Sequence, residues 1–83
     1  MSSKEWAAQH EDVQILMSTD KLAMKLNIKM ADKENSKYIS ERSMDFRSLP
    51  LEQDELVLDD YLCSIYELMY RDINLKKEEQ GND

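Results

Sequence analysis

The chain has 83 residues, 41% hydrophobic and 35% charged, with one glycine, one proline and one cysteine. A domain of this size buries only about 60% of its unfolded surface, which argues against a deep enclosed active site. The lone Cys63 excludes an intramolecular disulfide and a cysteine-based metal cluster.

Net charge is −7, from 18 acids and 11 bases. Residues 1–49 carry equal numbers of each, whereas 50–73 hold seven acids and a single base, Arg71. The N-terminus lacks the basic start and apolar run of a secretory signal, and no apolar run approaches the ~20 residues needed to span a bilayer. A cytoplasmic protein without a membrane segment is the expectation.

Within residues 1–12, Ser2 and Glu5 stand at capping-box spacing, so "KEWAAQH" is expected as a short helix whose Trp6 docks on the body, or else as a frayed end. Residues 13–49 read as a sheet. Val13, Ile15 and Met17 alternate in a first strand, and "STDK" suits a turn. In "KLAMKLNIKM" five apolar residues, Leu22, Met24, Leu26, Ile28 and Met30, occupy every second position. A helix would scatter them around its axis, whereas a strand places all five on one face. Burial of each is worth about 1.5–3 kcal/mol against tenths of a kcal/mol for helix propensity, so the pattern predicts a strand. A polar loop at 31–36 precedes a third strand in "KYISERSMDF", whose polar middle suits a sheet edge.

Residues 50–75 read as one long helix. Ser48 and Pro50 suit its start, acids crowd its N-terminal half, and Lys76 and Lys77 complement the dipole near its end. A flexible tail is expected from residue 76 to 83. At 100° per residue Leu51, Leu58, Leu62, Ile65, Met69 and Ile73 form one face. Val57, Tyr61 and Leu68 form one flank of it, and Cys63, Tyr66 and Tyr70 the other. A narrow polar stripe of Asp60, Ser64, Glu67 and Arg71 remains. The apolar arc is about twice what a single packing surface requires, so the N-terminal segment, a second copy or a partner must cover its sides. The fold class is therefore α+β: a three-stranded antiparallel meander, one long C-terminal helix and a short N-terminal helix in a single domain. The alternative is an all-α chain.

No catalytic or cofactor motif assembles. His10 is the only histidine, beside Glu11 and Asp12, and reads as a polar turn residue and not a metal ligand. Cys63 has no local base and reads as a structural thiol. Adjacent acids such as Asp59 with Asp60, or Asp54 with Glu55, diverge by about 100° on a helix and do not converge on one reacting atom. Lys21, Lys25, Lys29, Lys33 and Lys37 could touch phosphates, but the acidic chain opposes nucleic-acid binding. A small-molecule substrate, a cofactor and a metal are not expected.

The reading is a non-enzymatic interaction module, a small regulator or inhibitor that binds a partner protein or itself as a homodimer through the long helix. Tyr61 and Leu68, or Tyr66 and Tyr70, are the expected contact residues. One alternative is a structural or chaperone-like subunit of a larger assembly. Another is an acidic nucleic-acid mimic presenting Asp54, Glu55, Asp59, Asp60 and Glu67.

Overall fold

A computed structural model describes residues 2–49 and 55–81. Helix α1 (Ser3–Gln9) leads into strands β1 (Val13–Asp20), β2 (Lys25–Asp32) and β3 (Ile39–Asp45), a single 3-10 turn (Phe46–Ser48) and helix α2 (Glu55–Gly81). The strands form an antiparallel meander in the order β1-β2-β3. The α+β class holds and the all-α alternative falls.

Register explains which side chains are buried. Met17 pairs with Ile28 and Ile28 with Arg42, so Val13, Ile15, Met17, Ile28, Met30, Ser40 and Met44 share the face toward α2. From the helix Ile65, Tyr66, Met69 and Ile73 meet them, and Trp6, Met30, Met69 and Ile73 are almost wholly enclosed. Alternate positions (Leu16, Asn27, Lys29, Glu41, Ser43) face away, onto a side of the sheet that no described element covers. The molecule is correspondingly flat, 47 × 29 × 16 Å.

Two boundaries depart from expectation. The β1–β2 turn falls at Lys21–Met24 and not at "STDK". Asp20 Oδ1 accepts the amides of Leu22 and Ala23, each at 3.1 Å, and closes the turn. Leu22 and Met24 therefore leave the alternating strand: Leu22 is fully exposed, and Met24 sits at φ 54°, in the left-handed region. The loop has no glycine, proline or asparagine to mark it, so alternation ran on through it.

The helix also continues past Leu75 to Gly81, where a flexible tail was expected. Lys77 Nζ is ion-paired with the enclosed Asp32 carboxylate, and Lys76 Nζ donates to Ile39 O at 2.5 Å and contacts Asp72 Oδ2 at 3.1 Å. These lysines tie the last turns of α2 to the sheet. The expected helix start at Pro50–Leu51 and the acid Asp54 lie outside the described residues, as does the Glu55 side chain.

Candidate partner-binding surface

The two flanks of α2 meet different fates. On one, α1 lies against the helix. Ser2 Oγ accepts the Glu5 amide at 3.1 Å, supplying the cap expected from sequence. Trp6, 1% exposed, packs on Tyr66 and Tyr70 with ring centroids 5.4 and 5.7 Å away. Its indole Nε1 donates to Glu67 Oε1 at 2.6 Å. His10 stacks on the indole at 3.8 Å, places Nδ1 2.7 Å from Trp6 O, and meets Tyr70 edge-on. Tyr70 Oη donates to Asp12 Oδ2 at 2.7 Å, and this bond, with burial, pushes the phenol up. His10 is thus part of an aromatic cluster and not a solvated turn residue.

That cluster corrects part of the expected contact set. Tyr66 is buried by its own chain, its pKa pushed up chiefly by burial, and Tyr70 is engaged by α1 and Asp12. Tyr66 is thus closed to a partner unless α1 is displaced, while Tyr70 is half-buried with its hydroxyl taken by Asp12. Cys63 lies on the same flank, half-buried, and burial pushes its thiol up, opposite to what a reactive thiol requires.

The acids are not displayed as one row. Asp59 Oδ1 accepts Ser3 Oγ at 2.7 Å, Glu67 is bound by Trp6, and Asp60 is exposed. Asp59 and Glu67 therefore fasten α1 to α2.

The other flank, toward β3, is covered by no element among the described residues. Val57, Leu68 and Leu75 are 39%, 44% and 51% exposed. With Tyr61, Ser64 and Arg71 they stand at alternating spacings of four and three, a heptad-like seam along the helix surface. Tyr61 closes the inner border of this seam, half-buried, its hydroxyl 3.7 Å from Met44 Sδ. Between the seam and β3 runs a groove of about 480 Å³, bounded by Ser40, Glu41, Arg42, Leu68, Arg71, Asp72 and Leu75. The sequence exposed only half of this feature. Leu68 was legible on the flank, but Leu75, the last residue of the expected helix, was not assigned to it, and nothing local placed Arg42 beside Arg71.

The open sheet face carries a second depression, about 640 Å³, around Leu16, Asn27, Lys29 and Glu41. Lys29 there contacts Glu41 at 3.9 Å. Of the expected lysine row, Lys25 and Lys29 share this face while Lys21 belongs to the turn. Among the described residues no cluster of three or more metal-ligating side chains forms, and no helix is long and apolar enough to cross a membrane. No protein-family model, curated protein or solved structure matches the chain.

Proposed function

We propose that the chain is a non-catalytic protein-interaction module that engages a partner protein through the β3-facing flank of α2. The observation that carries this reading is the exposure of Val57, Leu68 and Leu75 along one flank of α2, a seam that Ser64 and Arg71 interrupt, on an otherwise charged protein. Such patches on small proteins mark interaction sites. The opposite flank is satisfied internally by Trp6, which leaves this one as the part of the broad apolar arc without a partner among the described residues. A regulator or inhibitor role fits a small protein built around one contact surface.

Acidic mimicry draws less support, because Asp59 and Glu67 are spent on holding α1. Retention of binding partners by the tagged chain and by a Leu68→Asp/Leu75→Asp variant, washed at low and high salt, tests the reading. Both residues are exposed, so the variant retains its fold by circular dichroism. A partner, or a second copy, that survives high salt on the parent chain and is lost from the variant supports the seam. Identical retention by the two chains overturns it. A partner that only high salt removes points instead to carboxylate-driven binding.

A further inference from the structure

Both edges of the sheet turn backbone groups outward. At β1 the Val13 amide is bound by His10 O at 3.3 Å, while Ile15, Met17 and Thr19 turn their backbone groups outward. Among the described residues no element covers the β3 edge. Asp32 N donates to Tyr38 O at 3.0 Å, and this bond with the β2–β3 register puts Ser40, Arg42 and Met44 at the positions bonded to β2. Ile39, Glu41 and Ser43 consequently aim their N–H and C=O groups outward. Lys76 takes the Ile39 carbonyl, and the backbone groups of Glu41 and Ser43 have no partner among the described residues.

The groove beside this edge has its own charge pattern. Glu41 is matched by Lys29 and Asp72 by Lys76. Arg42 and Arg71 line the same groove, are exposed, and have neither an ion pair nor a side-chain hydrogen bond among the described residues. Leu68 and Leu75 line the same groove from the helix side, half-exposed. Unmet backbone donors and acceptors, two unmatched guanidinium groups and an apolar wall describe one occupant.

We propose that the open edge of β3 accepts an extended acidic segment of a partner protein as a fourth strand, with Arg42 and Arg71 taking its carboxylates and Leu68 and Leu75 covering an apolar side chain. The proposal rests on the α2 flank being the partner-binding surface and specifies how the partner is held. Main-chain bonds to Glu41 and Ser43 supply the pairing, and alternate side chains of the added strand supply the selectivity. The chain's overall −7 acts at long range, where salt screens it beyond about 8 Å, whereas the arginines act at contact distance. Guanidinium groups suit this role because their planar fork binds a carboxylate through two parallel hydrogen bonds.

The test uses an eight-residue blocked peptide alternating Thr-Val and Thr-Glu pairs, and a control with Lys for Glu, titrated into the isotope-labelled full chain. The expected result is slowed amide exchange and shifted resonances centred on Glu41 and Ser43, with the Glu peptide bound at least about tenfold tighter than the Lys peptide. Arg42→Glu with Arg71→Glu should reverse that preference. Ser43→Pro should abolish binding while preserving the fold, because the Ser43 amide is not used by the β2–β3 ladder. No binding of the Glu peptide at millimolar concentration, equal binding of both peptides, or protection confined to α2 each overturns the proposal. Failure here is distinct from failure of the broader reading. A natural partner lost on Leu68→Asp/Leu75→Asp but kept on Ser43→Pro leaves the helix surface standing and removes the added strand.

Discussion

Trp6 Nε1 and Glu67 Oε1 are 2.6 Å apart, joining the third position of the chain's first helix-forming stretch, "KEW", to the exposed side of its last helix across 61 residues. The bond fastens α1 to α2, and it lets a large indole be enclosed with its only polar atom satisfied. Enclosure of the ring and satisfaction of the N–H are separable contributions.

Trp6→Ala should destabilise the chain by about 3–5 kcal/mol, as expected for emptying an aromatic core site. Trp6→Phe keeps most of the ring and loses the charge-assisted hydrogen bond, so about 1–2 kcal/mol is expected. Urea unfolding of the two variants checks this. Equal losses would mean that the Glu67 bond, and not ring burial, dominates the docking of α1.

Asp32 is 2% exposed and held by Lys77, whose hydrogen bond outweighs burial and keeps the carboxyl below its ordinary range. A depressed folded-state pKa contributes stability that is complete above the unfolded value, near ~3.9, and lost as pH falls through the folded one. Lys77→Met should therefore cost about 2 kcal/mol at neutral pH and flatten the acid limb of the stability curve below about pH 4. Thermal midpoints measured across that range decide it. A variant with the parent's acid limb would show that other carboxylates set it.

Tyr70 behaves with the opposite sign. Its phenol is raised by the hydrogen bond to Asp12, so the contribution is present below the unfolded value near ~10 and is lost as pH rises through the folded one. Tyr70→Phe should cost about 1 kcal/mol at neutral pH and nothing at strongly alkaline pH. Phenolate absorbance titration of parent and variant, alongside unfolding at each pH, follows both quantities.

Met24 pays for its turn geometry with φ 54°, a conformation that crowds any side chain with a Cβ. Half-exposed and at the end of a four-residue turn, it gives up little packing when removed. Met24→Gly should raise stability by about 0.5–1 kcal/mol, the relieved strain exceeding the entropy glycine adds to the unfolded chain. A lower unfolding midpoint for the variant would place Met24 in a packing role not evident from its exposure.

While the strand order β1-β2-β3 was settled by the structure, the periodicities of the chain alone indicated three strands followed by a long helix with a core face of Ile65, Met69 and Ile73. Those follow from local rules: a strand repeats every two residues, a helix every 3.6, and burial rewards whichever repeat collects the apolar side chains. The sequence also showed that α2 is too broadly apolar for a single sheet to cover. Which covering each flank receives depended on contacts between residues far apart in the chain, such as Trp6 with Glu67 and Lys77 with Asp32. Local spacing carries no record of such pairs, because their energy exists only once the chain has folded. For the same reason the turn at Lys21–Met24, closed by one aspartate, and the extension of α2 to Gly81, held by two lysines, were settled by tertiary structure. The placement of Arg42 beside Arg71 at an open strand edge was settled there too.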